Sequence, residues 1–476
     1  MSNKWVHIIG ICGVVTSGLA VMYKNLGWKV TGSDKGFFPP VSDYLAKHNI
    51  EIGLGYNLQR LTNEEGLHPD IVILQGVKSE DNAETKEARR LSLNVKYFTE
   101  IVSDLVLVDN SIVVTGTYGK TTITALIVEI LKNAGIDISY MFGGLRLQMT
   151  PTIKAAQKHT RYSVVEGDEY LTSLDDKTSK FFYYRPKILL LNSCKWEHPD
   201  LFSSEEAYVE NFQNLIKKIP KEGLIIANAN DRNVVKVCRN AKSKVVYYSQ
   251  NREKSYIRPQ WYLENESRPL KTLIRIDENG MSLEIIPYEK KILGDFNDEN
   301  ILAASVLTYE LGVKKERIQE SIYDFDGIKR RLEIRYTSNK ATIIDDFGSS
   351  PPKAKGSLSS IRMAFPKSKI VAIFEPNTGN RTKAAIPTYT GCFQYADSLI
   401  FPRFTKLPKT KLERLDETQL ARELPEVQQL EVITDDDKLI HSLYEQILQG
   451  DEHIVVVFLG SHGFRGIIES LMSLLI

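Results

Sequence analysis

One short stretch of this chain strongly limits the folds that the chain can adopt. Residues 111–115 are apolar and mostly β-branched, residues 116–119 contain two glycines, and Lys120 opens an apolar-periodic segment that ends near Gly135. This order predicts a buried strand, a glycine turn and a helix, as in an α/β sheet that holds a phosphate group. The N–H groups of the turn and the helix N-terminus would bind an anion. Lys120 could reach the β- and γ-phosphates of a nucleotide, and the Thr121 hydroxyl could bind Mg²⁺.

The glycine turn departs from the full G-x-x-x-x-G-K-T pattern, because Val114 stands where the first glycine would be. A chance Gly-Lys-Thr turn at a helix start is therefore the alternative. The predicted strand before the turn and the predicted helix after it favour a nucleotide-binding loop. Its candidate nucleotide-binding residues are Gly116, Thr117, Gly119, Lys120, Thr121 and Thr122.

Length and charge narrow the class of protein. The chain has 476 residues, which is too long for one core and suggests about three domains. Its net charge of +1 gives no electrostatic reason to expect binding to nucleic acid or to a membrane surface. The four cysteines lie far apart, no charged leader precedes the first predicted strand, and no apolar stretch approaches the roughly 18 residues of a membrane span. The sequence therefore predicts a cytoplasmic protein with no membrane segment.

Alternating strand and helix patterns predict an α/β fold in three parts, with boundaries at 1–108, 109–325 and 326–476. The first part begins as a βαβ unit, with a strand over 5–9 and a helix over 18–26. Its glycines are spaced G-x-x-G-x-x-x-x-G rather than G-x-G-x-x-G. This spacing leaves open whether the turn binds a phosphate or is only tight.

Polar residues at two predicted strand ends are candidates for metal binding. Glu166 follows a predicted buried strand and opens an acidic cluster that ends at Tyr170. The carboxyl ends of parallel strands share one crevice, so this cluster would face the glycine loop and could hold Mg²⁺. His198 follows another predicted strand. The alternatives are a solvated acidic turn and an exposed loop histidine.

Further along the chain, Asn297 and Asn300 precede a predicted helix, with Asn300 placed as its N-cap. An amide side chain both donates and accepts hydrogen bonds, which suits the edge of adenine. Arg330 and Arg331 could clamp a phosphate or form a solvated basic linker. Asp346, after another predicted strand, could bind ribose hydroxyls or lie exposed in a turn.

Taken in order, these motifs resemble the Mur ligase family, the ATP-dependent amino-acid and peptide ligases of peptidoglycan and cell-wall synthesis. The resemblance covers nearly the whole chain and rests on residues 10–13, 18–20, 32–34, 116–122, 166–170, 192–198, 297, 300, 330–333 and 345–347. It implies a Rossmann-like N-terminal domain, a central P-loop ATPase domain and a Rossmann-like C-terminal domain that receives the acceptor.

Within the family, the N-terminal glycine pattern resembles the branch that takes UDP-N-acetylmuramate itself. That branch adds either L-alanine or the intact tripeptide L-Ala-γ-D-Glu-meso-diaminopimelate, and residues 10–13, 37–42 and 176–181 are closer to the tripeptide-adding members. The resemblance implies an ADP-forming ligase that works through an acyl phosphate in peptidoglycan recycling. The alternatives are L-alanine ligation in biosynthesis and a divergent ligase or nucleotide-binding regulator.

The resemblance also implies roles for individual residues, with ATP and Mg²⁺ as cofactors. UDP-N-acetylmuramate and a peptide or amino-acid acceptor are the implied partners, and the expected state is a monomer or a weak homodimer. Lys120 and Arg331 would hold nucleotide phosphates, Asn297 and Asn300 would bracket adenine, and Asp346 would bind ribose. Thr121 and Glu166 would bind the first Mg²⁺ and His198 the second. The UDP sugar would lie against Gly10, Cys12, Gly13, Ser33 and Asp34.

Some positions depart from the family pattern. Tyr118 stands where this branch commonly has histidine, and Lys195 and Glu197 replace two acidic positions. Ser349 and Ser350 replace a pair of histidines, and the arginine that commonly follows Glu-Pro at 375–376 is absent. Because the phosphate and metal residues persist, these changes imply an altered acceptor, with reduced activity as the alternative.

Overall fold

The computed structural model describes residues 4–76, 82–172, 178–197, 201–264, 270–405, 414–424 and 429–476. The chain forms two compact units. The first unit comprises Met1–Lys291 with Asn297–Asp326, and the second comprises Ile292–Phe296 with Gly327–Ile476. Within the described residues, the first unit contains two sheets and the second unit contains one.

The N-terminal sheet is entirely parallel, with strand order β3-β2-β1-β4-β5. Its strands are β1 (Trp5–Ile9), β2 (Lys29–Asp34), β3 (Gly53–Leu54), β4 (Ile71–Leu74) and β5 (Val95–Tyr97). Its helices are α1 (Val14–Asn25), α2 (Val41–Lys47), α3 (Ala83–Arg90) and α4 (Phe98–Leu105). The strand order reverses direction at β1, which opens a crevice beyond the carboxyl ends of β1 and β4.

Helix α1 begins four residues earlier than the sequence predicts, and Gly18 lies inside it. A side chain at Gly18 would collide with Thr152 and Ile153 of the central sheet. Gly18 therefore serves close packing between the two sheets of the first unit rather than a turn. A turn and a close helix contact both select glycine, which is why the sequence pattern was misleading here.

The central sheet has ten strands in the order β15-β14-β13-β12-β11-β10-β6-β9-β7-β8. The strands are β6 (Ser111–Thr115), β7 (Ile138–Met141), β8 (Ile153–Lys154), β9 (Tyr162–Gly167), β10 (Ile188–Leu191), β11 (Leu224–Asn228), β12 (Lys244–Ser249), β13 (Trp261–Glu264), β14 (Lys271–Ile276) and β15 (Ser282–Tyr288). The helices are α5 (Lys120–Asn133), α6 (Glu205–Ile216), α7 (Arg232–Cys238), α8 (Phe296–Glu310) and α9 (Lys315–Asp324).

Strands β6, β9 and β10 confirm the buried strands predicted around the glycine loop, and all five residues of β6 are buried. The polar stretch from 250 to 288 extends the central sheet through β13, β14 and β15. Strand β13 pairs parallel with β12, whereas β14 pairs antiparallel with both β13 and β15. In β13, buried and half-buried residues alternate, as expected for a strand with one covered face.

Helix α8 begins at Phe296, so the prediction that Asn300 is its N-cap is wrong. Asn297 and Asn300 lie near the N-terminus of α8, three residues apart on the same face of the helix. Asp298 lies in the first turn, where negative charge favours the helix N-terminus. This carboxylate favours the earlier start of α8 at Phe296.

The second unit has one six-stranded sheet in the order β16-β17-β21-β18-β19-β20, and only β16 is antiparallel to its neighbour. Its strands are β16 (Glu333–Thr337), β17 (Ala341–Asp346), β18 (Lys369–Glu375), β19 (Ser398–Pro402), β20 (Leu430–Ile433) and β21 (Ile454–Gly460). Its helices are α10 (Pro351–Ala364), α11 (Glu417–Arg422), α12 (Asp436–Gln449) and α13 (Ile467–Leu475). Apolar side chains from both faces of the sheet pack under these helices.

Two further properties bear on the class of protein. In the described parts of the chain, no helix is both long and apolar enough to cross a membrane. All four cysteines are free thiols, and three of them are buried. The α/β architecture with mostly parallel sheets agrees with the sequence prediction.

Candidate active site

The glycine loop between β6 and α5 is closely packed against the segment that follows β10. Gly116 has φ +133° and Gly119 has φ +81°, in the region that favours glycine. A side chain at Gly116 would collide with the backbone of Ser193, and one at Gly119 would collide with the amides of Asn192 and Asn300. Both glycines are therefore required by backbone conformation and by space.

Lys120 lies at the centre of the loop in a buried ion pair. Its Nζ donates to the Gly116 carbonyl at 2.7 Å and to Glu169 Oε2 at 2.9 Å. Burial alone would lower the pKa of Lys120, but the carboxylates of Glu169 and Asp168 outweigh it and raise the pKa. The side chain therefore stays charged, as a phosphate-binding lysine must.

Glu169 is a site residue that the sequence analysis did not single out. It is fully buried, and its second oxygen accepts a hydrogen bond from Tyr208 Oη at 3.3 Å. The acidic cluster at 166–170 was visible in the sequence, but nothing in it distinguished Glu169 from its neighbours. The distinguishing property is the contact with Lys120, which is 49 residues away along the chain.

Thr121 and Glu166 form the second polar pair of the loop. Thr121 Oγ1 donates to Glu166 Oε1 at 2.9 Å, and the Gly143 N–H donates to Glu166 Oε2 at 2.7 Å. Glu166 lies in β9 directly beside Val114 of β6, so the sheet register brings the pair together. A hydroxyl and a carboxylate are hard oxygen ligands of the kind that Mg²⁺ takes together with water.

The remaining predicted metal ligand, His198, lies outside the described residues. Among the residues that the structure describes, no group of three or more His, Cys, Asp or Glu side chains is arranged to hold a metal ion. The Thr121–Glu166 pair fits a magnesium ion that completes its coordination with water and nucleotide oxygens. The assignment of both metal sites stays a prediction.

Asn192, at the end of β10, connects the loop to the neighbouring strands. Its Nδ2 donates to the Tyr118 carbonyl at 3.2 Å, and its Oδ1 accepts from Tyr248 Oη at 2.5 Å. Asn228 Nδ2 in turn donates to the Asn192 carbonyl at 2.9 Å. The ends of β10, β11 and β12 are thereby tied to the loop, which fixes its position before any nucleotide binds.

The two asparagines predicted to bracket adenine lie beside the loop. Both are buried, and Asn300 Nδ2 donates to Asn297 Oδ1 at 2.9 Å. Asn300 Oδ1 also packs against Gly119. The structure thus brings the predicted adenine residues and the predicted phosphate residues into one cluster at the carboxyl end of the central sheet.

Glu299, in the same helical turn, should make the stability of the first unit depend on pH. Burial raises its pKa from 4.5 to about 7, against hydrogen bonds from Asn228 and Asn192 and the charge of Lys195. The folded protein then holds a proton that the unfolded chain releases, so stability falls as pH rises between these two values. As the pH rises from about 5 to about 8, we expect the free energy of unfolding to fall by roughly 1–3 kcal/mol less in Glu299→Gln than in the parent protein.

Unfolding in urea, monitored by tryptophan fluorescence, measures this effect, because all four tryptophans lie in the first unit. Glu316→Gln, at an exposed position of α9, serves as the control and should keep the parental pH dependence. If the free energy of unfolding depends on pH equally in the parent and in Glu299→Gln, the prediction is contradicted.

The five residues predicted to bind the UDP sugar come together in the N-terminal sheet. Gly10 (φ +81°) donates through its N–H to the Ser33 carbonyl at 2.8 Å. Asp34 Oδ2 accepts from the Cys12 N–H at 2.9 Å, and the Gly13 N–H donates to the Gly10 carbonyl at 3.2 Å. The glycine turn after β1 is therefore held against the end of β2, where Asp34 is half-exposed.

A buried carboxylate that the sequence analysis missed supports this turn. Glu84 in α3 accepts hydrogen bonds from the Ser33 hydroxyl, from the Asn57 N–H at 2.7 Å and from His7 Nε2 at 3.3 Å. Burial alone would raise the pKa of Glu84, but the hydrogen bonds from His7, Ser33 and Asn57 together lower it. Glu84 is thus an anionic anchor for the strand end that carries Asp34.

In the second unit, the two adjacent arginines have different surroundings. Arg330 Nη2 donates to the carbonyls of Gly460 and His462, both at 2.7 Å, so it holds the turn after β21. Arg331 is exposed, and its guanidinium lies 5.0 Å from the ring centre of Phe347. Of the two, Arg331 has the more exposed side chain, and its predicted role toward a nucleotide phosphate stays a prediction.

Asp346, predicted to bind ribose, is engaged within the second unit. It is buried, and its carboxylate accepts from the N–H groups of Leu332 and Gly348, each at 2.9 Å, and from Ser357 Oγ at 2.7 Å. Three donors already use most of its acceptor capacity. Its role toward a nucleotide stays a prediction.

The arginine missing after Pro376 is not replaced by Arg381. Arg381 is buried, and its guanidinium donates to the Pro376 carbonyl at 2.8 Å, to Glu375 Oε1 at 3.0 Å and to the Thr405 carbonyl at 3.0 Å. These contacts make Arg381 part of the loop's own structure. Ser349, at a position of lost histidine, is also buried, and its carbonyl accepts from the Asn377 N–H at 2.9 Å.

Comparison with known families accounts for most of the chain. Residues 5–108 match the Mur ligase family catalytic domain, residues 114–308 match the Mur ligase middle domain, and residues 330–462 match the Mur ligase glutamate ligase domain. These three matches follow the three sheets.

Individual relatives fall into two groups. The chain is 30% identical over 399 residues to the UDP-N-acetylmuramate–L-alanine ligase of Clostridium acetobutylicum, covering 84% of this chain and 82% of the relative. It is 28% identical over 387 residues to the UDP-N-acetylmuramate–L-alanyl-gamma-D-glutamyl-meso-2,6-diaminoheptandioate ligase of Haemophilus influenzae, covering 79% and 80%.

Among solved structures, a murein peptide ligase from Psychrobacter arcticus superimposes with a TM-score of 0.73 at 25% identity, covering 99% of this chain and 98% of that chain. The UDP-N-acetylmuramate–alanine ligase of Thermotoga maritima superimposes with a TM-score of 0.75 at 20% identity and the same coverage, which shows the shared fold.

Proposed function

The chain belongs to the Mur ligase family, and we propose that it joins the lactyl carboxylate of UDP-N-acetylmuramate to the amine of L-Ala-γ-D-Glu-meso-diaminopimelate. The reaction uses ATP and releases ADP and phosphate. The observation that carries this proposal is the glycine loop, on which the Lys120–Glu169 and Thr121–Glu166 pairs place a cation and a set of oxygen ligands together. We assign residues 1–108 to the UDP sugar, 109–325 to ATP and 326–476 to the acceptor.

The chemistry proceeds in two transfers. A lactyl carboxylate oxygen attacks the γ-phosphorus of ATP, the bond to the β-phosphate oxygen breaks, and ADP leaves. The free amine of the acceptor then attacks the carbonyl carbon of the acyl phosphate. The tetrahedral intermediate collapses to an amide, phosphate departs with the carboxylate oxygen, and the amine loses a proton. Phosphoryl transfer of this kind depends mainly on positioning and on neutralisation of charge.

Residues of the loop supply both requirements in this proposal. Lys120 neutralises charge on the β- and γ-phosphates, and the N–H groups of residues 116–122 bind phosphate oxygens. Thr121 and Glu166 would hold a Mg²⁺ ion, with His198 as ligand of a second, and the metal would supply further neutralisation of phosphate charge. Asn297 and Asn300 orient adenine, while Arg331 and Asp346 contact the phosphates and ribose.

The acceptor assignment rests on resemblance at particular residues. Residues 10–13 and 37–42 are closer to members that add the tripeptide, and the murein peptide ligase of Psychrobacter arcticus is a structural neighbour. Residues 176–177 of the third supporting segment lie outside the described residues. L-alanine is the second candidate, because the relative from Clostridium acetobutylicum bears that activity in its name. We also propose a cytoplasmic location, where ATP and UDP sugars are available.

Product analysis by mass spectrometry separates these candidates. The protein is incubated with MgATP, UDP-N-acetylmuramate and, in parallel, the tripeptide, L-alanine or no acceptor. We expect a UDP-N-acetylmuramoyl-tripeptide product and ADP in the first reaction only. A UDP-N-acetylmuramoyl-alanine product would move the assignment to the biosynthetic step. ATP binding with no product from either acceptor would favour a nucleotide-binding regulator.

The N-terminal turn gives a separate prediction for the UDP sugar. Asp34→Ala removes the carboxylate that accepts from the Cys12 N–H, so the turn loses a charge-assisted hydrogen bond and its fixed shape. We expect the KM for UDP-N-acetylmuramate to rise about tenfold or more while the KM for ATP stays nearly unchanged. Steady-state kinetics with each substrate varied measure this, and Asp43→Ala, on the exposed face of α2, is the control. Equal increases in both KM values would contradict the prediction.

A further inference from the structure

Two of the residues that depart from the family pattern are in contact with each other in the first unit. The Lys195 ammonium lies 5.2 Å from the ring centre of Tyr118, within the range of a cation–π interaction. Tyr118 belongs to the glycine loop and is half-buried, whereas Lys195 is exposed. The sequence gives no indication of this contact, because the four strands β7 to β10 separate the two residues along the chain.

The backbone around Lys195 is fixed to the same loop. The Thr117 hydroxyl donates to the Lys195 carbonyl at 2.7 Å and accepts from the Lys195 N–H at 2.9 Å. The Tyr118 N–H donates to Ser193 Oγ at 3.1 Å. Lys195 therefore extends from a backbone that is attached to the phosphate-binding turn at several points, and the Tyr118 ring restricts where its side chain can lie.

The charges around the pair show which face of the loop it occupies. Among the described residues, no carboxylate forms an ion pair with Lys195, whereas Lys120 is paired with Glu169. The charge of Lys195 lowers the pKa of Glu299. Burial is the larger cause that raises the pKa of Tyr118, and the charge of Glu299 raises it further. The pair thus lies between the phosphate loop and the first turn of α8, which carries the two predicted adenine residues.

We propose that Lys195 is a second nucleotide-binding cation, held at the glycine loop by the ring of Tyr118, and that the two residues act as one unit on the phosphates of a nucleoside triphosphate. The inference rests on the proposed function only for the identity of the ligand. Lys195 supplies positive charge that forms no ion pair with a carboxylate of the described residues, on a backbone that the loop itself holds. A ligand that bears several negative charges and spans the loop and α8 would gain from this charge.

Direct titration with MgATP, without UDP sugar or acceptor, tests the inference on the full chain. Lys195→Met keeps most of the stem and removes the charge, and we expect it to weaken nucleotide affinity about threefold to tenfold. Lys195→Arg should stay within about twofold of the parent, because it keeps the charge and stacks on the ring. Lys218→Met is the matched control, since Lys218 is an exposed lysine 5.5 Å from the ring of Phe182, away from the loop.

A double-mutant cycle tests whether the two residues act together. Tyr118→Leu should weaken affinity by itself, and adding Lys195→Met should weaken it by no more than about twofold further, because the lysine has already lost its support. Melting temperatures of all variants show that the comparison is made on folded protein. Parental affinity for Lys195→Met, or fully additive effects in the double variant, would overturn the inference. If the parent protein binds the nucleotide but forms no ligation product, the proposed function is wrong and this inference still holds.

Discussion

Replacing Lys120 by methionine is expected to reduce turnover by at least about 10²–10³-fold, because the principal cation of the phosphate loop is lost. The same change should also destabilise the protein. Glu169 is fully buried and would lose its ion pair with Lys120. Removing one partner of a buried ion pair costs about 3–5 kcal/mol. Acceptor-dependent phosphate release measures the loss of turnover. Unfolding in urea, monitored by tryptophan fluorescence, measures the loss of stability.

A second substitution separates the two effects. Lys120→Met combined with Glu169→Gln removes both charges, and a neutral amide can still accept the Tyr208 hydroxyl. We expect this double variant to regain most of the lost stability and to remain inactive. Lys154→Met, on the exposed ion pair with Asp137, is the control and should change neither property much. A stable Lys120→Met protein would show that the Lys120–Glu169 pair contributes little, and an active double variant would show that Lys120 is not the phosphate-binding cation.

Glu166→Gln is expected to have the second largest effect on turnover. Glutamine keeps the shape of the side chain and can still accept from the Thr121 hydroxyl or the Gly143 N–H, so the fold should persist. It removes the negative charge that would hold Mg²⁺ against the nucleotide. We expect turnover at moderate Mg²⁺ to fall about 10–100-fold or more, with partial recovery at high Mg²⁺.

Turnover measured over a series of Mg²⁺ concentrations checks this prediction. Asp137→Asn removes a partly exposed carboxylate directly before β7, the strand beside β9, and is the matched control that should follow the parental curve. A Glu166→Gln protein that loses activity equally at every Mg²⁺ concentration would contradict a role in metal binding. Such a result would point instead to the hydrogen bond from Gly143 as the function of Glu166.

The glycine loop and the strand ends around it were predictable because their signals are local. Apolar runs mark β6, β9 and β10, and residues directly after parallel strands must meet at one edge of the sheet. Helix boundaries were less predictable. Helix α1 incorporates a glycine that serves close packing, and α8 begins among acidic residues that were expected to precede it.

Long-range partners of the site could not be predicted. Glu169 contacts Lys120 across 49 residues and Glu84 contacts His7 across 77 residues, and no spacing rule connects such positions. The Tyr118–Lys195 contact is a similar case, although both residues were recognised as unusual. Residues that depart from a pattern are informative individually, but only the fold shows that two of them are neighbours.

The most direct test of the account is to follow an oxygen atom. UDP-N-acetylmuramate labelled with oxygen-18 in its lactyl carboxylate is incubated with the protein, MgATP and the tripeptide, and the released phosphate is analysed by mass spectrometry. Attack of the carboxylate on the γ-phosphate predicts that the phosphate carries one labelled oxygen and that ADP is the nucleotide product. Unlabelled phosphate, or AMP with pyrophosphate, would contradict the acyl-phosphate reaction that the loop of Lys120 and Glu166 is proposed to support.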